Sequence, residues 1–167
     1  MMTTLDEIDR KILDLLQRDA RMTNVAIAAE VGLTAPSVLE RIRKLEQRGV
    51  IQGYTAKVNP AALGKILTAF IRLLVAYDEK YAAGIEALRS DPDVLECYHV
   101  AGEDCLIIKT KLTTPGELEA LIKRIRSRIS VQRSVTMIAL STIKEDTPIN
   151  VWISEAESQA ETHPILT

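Results

Sequence analysis

Two cysteines, two histidines, one tryptophan and one phenylalanine are all that this chain of 167 residues holds of those types. Cys97 and Cys105 lie eight positions apart and form no CxxC pair, so neither a disulfide framework nor a zinc-ligand spacing is present. Both read as small apolar side chains for an interior, with thiols kept reduced in a cytosolic setting. His99 and His163 are a thin supply for general acid–base or metal chemistry, and His99 reads as a strand residue with a satisfied hydrogen bond. No Ser/His/Asp, metal-ligand or phosphate-loop pattern stands out, so neither a catalytic nor a cofactor site is expected. No stretch approaches the roughly 20 consecutive apolar residues of a membrane span, and nothing resembles a signal peptide; a cytoplasmic location is the expectation. The formal net charge of −2 argues against a generic polyanion binder, while 47% apolar residues identify a globular chain.

The charge is unevenly spread. From Thr34 to Lys57 five basic residues (Arg41, Arg43, Lys44, Arg48, Lys57) face two acids (Glu40, Glu46), a local excess of +3. From Val58 onward 12 basic residues face 15 acidic ones, a balance of −3. The positive stretch coincides with the most structured part of the sequence, Asn24 to Ile51. There a short helix, a turn at Gly32 and a second, basic helix are predicted. Thr34 supplies the cap of the second helix, Pro36 sits harmlessly in its first turn, and Gly49 ends it in a left-handed conformation. At 100° per residue Val38, Ile42 and Leu45 form one stripe, and Ser37, Glu40, Arg41, Lys44 and Arg48 cluster on the far side. Two helices about a Gly-containing turn are the helix-turn-helix signature, and a basic helix fits the major groove of DNA. An ordinary solvated face on a helical hairpin is the alternative. A preceding helix, and Val50-Ile51-Gln52-Gly53-Tyr54 following like a small wing or linker strand, favour the groove reader.

In chain order, Thr4-Leu-Asp-Glu7 has the form of a capping box, and Ile8, Ile12, Leu15 and Leu16 line a helix to about Arg18. Thr23 caps the next helix, which carries Val25, Ala28, Ala29 and Val31. The resulting domain of about 60 residues is close to the smallest that folds alone. Residues 1–58 form it, 59–66 the linker, 67–147 a second domain and 148–167 a tail that frays past Ser154. In the second domain strands are predicted at 67–77, 94–100, 105–112 and 131–143, with helices at 80–89 and from Thr114 on. The order β-α-β-β-α-β is the ferredoxin-like arrangement, two helices on one face of an antiparallel sheet. Apolar residues on both strand faces predict a dimer closing sheet on sheet. Lys123, Arg124, Arg126 and Arg128 mark the outer face of the second helix, either solvated or following wrapped DNA.

Asp9-Arg-Lys-Ile-Leu13, Arg21, Ala28, Val31-Gly-Leu-Thr34, Arg41-Ile-Arg-Lys-Leu-Glu46 and Gly49-Val-Ile-Gln-Gly-Tyr54 resemble the Lrp/AsnC (feast/famine) transcriptional regulators. The resemblance continues through Gly64, Gly102 and the strand order, over about residues 4 to 147. It implies an α+β protein: an N-terminal winged helix-turn-helix plus a C-terminal ferredoxin-like αβ-sandwich, the RAM domain. It also implies dimers that assemble further, often into octamers. An amino acid or related small molecule would bind near the hairpin loop Val100, Ala101, Gly102, Glu103 and Asp104. In many members an Asp lies three residues after this Gly; here the position is Cys105, and acids stand at Glu103 and Asp104.

The leading reading is a sequence-specific regulator that binds a pseudo-palindromic operator in double-stranded DNA, with half-sites about one turn apart. Its recognition helix starts at Thr34, Ala35 and Pro36 and places Ser37, Glu40, Arg41 and Lys44 near base edges. Arg48, Thr23 and Asn24 lie near phosphates, and Arg43 is expected to pair with an acid. A second reading is a haem-biosynthesis (sirohaem-type) decarboxylase on the same fold, which needs general acids and cations around a tetrapyrrole-sized cavity. A third is an assembly or ligand-sensing protein without DNA binding.

Overall fold

An aspartate opens the first helix. In the computed structural model, which describes residues 5–145 and 147–152, Asp6 caps α1 (Glu7–Arg18) and accepts the Asp9 N–H at 2.7 Å. The capping box expected from Thr4 therefore gives way to Asp6, whose carboxylate also suits the positive end of the helix dipole; Thr4 lies outside the described residues. Thr23 caps α2 (Asn24–Val31) and Thr34 caps α3 (Ala35–Gln47), as predicted. Gly32 and Gly49 both end their helices at φ +70°, a conformation that a Cβ would strain.

The described residues divide into two compact units. One runs to Ala56 and takes in the residues from Lys144 on; the other is Lys57–Ile143. In the first, Ile12, Ile27, Val38 and Leu45 are essentially sealed from solvent, with Leu13, Ala28 and Ile42 beside them. The α3 stripe is as predicted. The α2 assignment needs correction: Ile27 and Ala28 point inward, whereas Val25 is 70% exposed and Ala29 is exposed. No strand forms at 50–54 either. The Val50 and Ile51 amides donate to the Leu45 carbonyl at 2.9 and 3.2 Å, and both side chains pack under the helices. Backbone at 50 and 51 committed to closing the helix end is not free to pair as a strand.

In the second unit Asn59 caps a single 3-10 turn, Pro60–Leu63, within the expected linker. Then follow β1 (Leu67–Val75), α4 (Tyr81–Arg89), β2 (Glu96–His99), β3 (Leu106–Leu112), α5 (Pro115–Arg128) and β4 (Val131–Ile138). The sheet is antiparallel in the order β2-β3-β1-β4, the ferredoxin-like topology. Strand β4 stops short of the predicted Ile143 because its partner runs out: Ile138 faces Ala69 and the Ala139 amide bonds the Thr68 carbonyl. Leu140 and Ile143 are fully exposed. Strand β2 is an edge strand of four residues, which leaves Cys97 exposed; Cys105, just before β3, is half-buried, so the two are not both interior.

Strand alternation sends Ala69, Ile71, Leu73 and Val75 against Leu121, Ile125 and Ile129 of the helix layer. The opposite sheet face carries Phe70 across from Met137, with Leu74, Ile107 and Val135 nearby. Helix α4 seats closely: a Cβ on Gly84 would lie 2.7 Å from Cβ of Ile129 and 3.1 Å from the Arg128 carbonyl oxygen. Gly84→Ala is therefore expected to destabilise this unit. Overpacking of about 1–3 kcal/mol outweighs a gain of about 1 kcal/mol in helix propensity. A urea midpoint above the parent's would contradict it.

The α4–β2 connection is clamped to α5. Arg124 grips Asp91 with Nε at 2.7 Å and Nη2 at 2.9 Å, and reaches Asp93 at 2.8 Å. Its guanidinium holds the Asp91 carboxyl below the ordinary carboxylate range. On the exposed side of the same helix Lys123 pairs with Glu119 at 2.6 Å.

Candidate nucleic-acid interface

The polar side of α3 forms one shallow depression with α1, lined by Asp9, Leu33, Ser37, Glu40, Arg41, Lys44, Leu45 and Arg48. All five residues predicted for the helix's outer face therefore meet there. Ser37, Glu40, Lys44 and Arg48 are exposed, as are Thr34 and Pro36 at the helix start; Ala35 is half-buried. The Thr34 and Ser37 hydroxyls lie 2.9 Å apart. Lys44 pairs with Glu40 at 2.6 Å, and this ammonium draws the Glu40 carboxyl down from its usual range. An exposed pair of this kind is worth little, so a phosphate can take over the lysine at small cost. Thr23 and Asn24 stand at the α2 N-terminus, where the Thr23 hydroxyl accepts the Ala26 N–H at 3.2 Å.

Arg41 is placed differently from its neighbours. Its Nη1 donates to Asp6 Oδ2 at 2.6 Å and Asp9 Oδ1 at 2.7 Å, and Asp9 is buried. The two carboxylates raise the guanidinium's pKa further. The Asp9 backbone N–H, followed by Arg41, lowers that of Asp6. In the unbound unit the guanidinium fastens α3 to the start of α1 through Nη1. Asp6 and Asp9 were not expected as its partners, although their i, i+3 spacing puts both on one side of α1. Arg43, expected to pair with an acid, is exposed and makes no ion pair among the described residues. Tyr54 instead donates its hydroxyl to Glu46 at 2.9 Å.

The hairpin loop of the second unit has its own anchor. Ala101, Gly102 and Glu103 are exposed, but Asp104 is buried. It accepts from Arg72 Nε of β1 at 2.7 Å and from Arg133 Nη2 of β4 at 3.1 Å. The Val100 amide donates to the Cys105 carbonyl and the Cys105 amide to the Leu73 carbonyl, at 2.9 and 2.8 Å. Arg72 and Arg133 were not singled out in the sequence; a charge in the largely apolar β1 is a readable signal for Arg72, whereas Arg133 stands among Gln132, Ser134 and Thr136 and carries none. His99 is satisfied by the Tyr77 hydroxyl at 2.8 Å, as expected.

Comparison with known families decides the identity. Residues 5–46 match the AsnC-type helix-turn-helix domain, and residues 68–149 match the Lrp/AsnC ligand binding domain. The chain belongs to the Lrp/AsnC family. It is 36% identical to the HTH-type transcriptional regulator LrpA of Mycobacterium tuberculosis, over 87% of this chain and 97% of that one. It is 34% identical to the leucine-responsive regulatory protein of Salmonella typhimurium, over 84% of this chain and 88% of that protein. Among solved structures, the transcriptional regulator NMB0573 of Neisseria meningitidis, in complex with L-Met, superimposes with a TM-score of 0.83. It is 29% identical, and the match covers 87% of this chain and 96% of that one. This Lrp/AsnC protein is thus a helix-turn-helix transcriptional regulator with a C-terminal ligand-binding type of domain. The decarboxylase alternative gains no support from these matches.

Proposed function

We propose that this Lrp/AsnC regulator binds a pseudo-palindromic operator as a homodimer or a larger assembly such as an octamer. In this reading α3 lies in the major groove, with Ser37 and Glu40 near base edges and Lys44 over the backbone. Arg48 and the α2 start at Thr23 and Asn24 lie near phosphates. One observation carries it: α3 buries Val38, Ile42 and Leu45 while leaving Ser37, Glu40, Lys44 and Arg48 exposed in one depression. Glu40 fits as an acceptor for a cytosine amino group once Lys44 has turned to the backbone. Dimerisation is supported by the apolar side chains on the sheet face away from the helices, where Val135 and Met137 are 39% and 43% exposed.

An amino acid or related small molecule at the hairpin loop, residues 100–104, is the proposed effector. Its support is the ligand-binding family match and the L-Met complex of the Neisseria protein. A cytoplasmic location is in keeping with this function; no helix among the described residues is long and apolar enough to cross a membrane.

Lys44→Ala tests the assignment of the face. It is expected to weaken binding to all DNA sequences alike and to flatten the slope of log affinity against log salt by about one. Anisotropy titrations across a salt series measure both. Parental affinity and slope would place the phosphate contacts elsewhere.

A further inference from the structure

The segment beyond the last sheet strand returns to the DNA-binding unit and joins it. Gln17, near the end of α1, uses its side-chain amide as a strand neighbour would. Its Nε2 donates to the Ile149 carbonyl at 3.0 Å and its Oε1 accepts the Ile149 N–H at 2.8 Å. Arg10, two turns earlier, donates to the Val151 carbonyl, and the Val151 side chain packs on the same core cluster as Ile12 and Leu45. Asn150 Oδ1 accepts the Trp152 N–H at 3.0 Å and closes the turn. Asn150–Trp152 lie beyond both family-matched stretches, 5–46 and 68–149. The chain thus enters the other unit at Lys57 and leaves it at Ile143, so the DNA-binding unit is tethered at two points.

We propose that Ile149–Trp152 is a strap that completes the DNA-binding unit and carries changes in the C-terminal domain to the recognition helix. The route is local and physical. The strap holds α1 on its outer side, and Asp6 and Asp9 at the start of α1 hold Arg41 of α3. A docked strap keeps the Arg41 anchor in register. The strap's grip consists of two partly exposed side chains and one half-buried valine, so it belongs to the part of the fold that opens locally before the core does. Any state of the C-terminal domain that favours strap release is then linked to DNA affinity, and the linkage is reciprocal.

The test uses the full chain, Val151→Ser to undock the strap, and a second chain ending after Trp152 as control. The DNA part rests on the regulator reading; hydrogen exchange of α1 needs no DNA and tests the strap by itself. The expected result for Val151→Ser is roughly tenfold faster exchange of α1 amides, unchanged exchange in β1 and β3, and acrylamide quenching of Trp152 raised. DNA affinity is expected to fall roughly fivefold, with the control at parental values throughout. Parental α1 exchange in Val151→Ser overturns the strap. Faster α1 exchange with unchanged DNA affinity overturns its link to α3, provided the parent itself binds DNA. Equal losses in the control would assign the effect to residues after Trp152. Gln17→Ala, a surface change, repeats the test with less risk to folding.

Discussion

Replacing Arg41 with alanine is expected to destabilise the DNA-binding unit and to weaken its hold on every DNA sequence together. The guanidinium is the partner of Asp9, whose side chain is 11% exposed, and of Asp6, which is 52% exposed. The Asp6 pair is screened by water and contributes little. The Asp9 pair matters more, because the alanine leaves a buried carboxylate without its cation. A cost of about 1–3 kcal/mol follows, below the range for a fully buried pair because water reaches the arginine. Fluorescence of Trp152, the single tryptophan and part of this unit, follows its unfolding in urea. Adding Asp9→Asn to Arg41→Ala is expected to restore part of the loss by removing the stranded charge. Unchanged stability together with relaxed discrimination at one base pair would make Arg41 a base reader instead.

Asp104→Ala is expected to free the hairpin loop. Its carboxylate is 4% exposed and joins Arg72 on β1 to Arg133 on β4, so one side chain ties the loop to the two strands beside it. Both arginines keep water contact at 36% and 48% exposure, which limits the loss to about 1–3 kcal/mol in the sheet unit. Under the proposed effector site the functional consequence is larger, since the loop that would present the ligand loses its anchor. Amide exchange at Val100 and Cys105 is expected to rise, and amino-acid binding measured by calorimetry to vanish. Asp104→Asn, which keeps the shape and loses the charge, is expected to fall between the two. Unchanged loop exchange in the alanine variant would remove Asp104 from this role.

Much of this was readable in the residues because periodicity reports burial directly. Val38, Ile42 and Leu45 had to face a core, and the caps at Thr23, Thr34 and Thr114 follow from short oxygen-bearing side chains before apolar stripes. Strand order followed from alternation and turn residues. What failed depended on partners distant in sequence. Neither the early stop of β4 nor the missing strand at 50–54 can be seen until one knows which backbone lies alongside. The same holds for ion pairs. A helical wheel puts Arg41 on the outer face, but only the packing of α1 brings Asp6 and Asp9 to it, and only the sheet brings Arg72 and Arg133 to Asp104. The position of Ile149–Trp152 against α1 had no local signature at all.

Whether this regulator reads particular DNA through α3 is decided by fluorescence anisotropy. The probes are the DNA upstream of the protein's own coding sequence and a shuffled fragment of the same composition, across a salt series. Binding to the upstream fragment is expected to be tighter by roughly a thousandfold or more, with a steep salt slope on both probes. No binding to either fragment at low salt would contradict it.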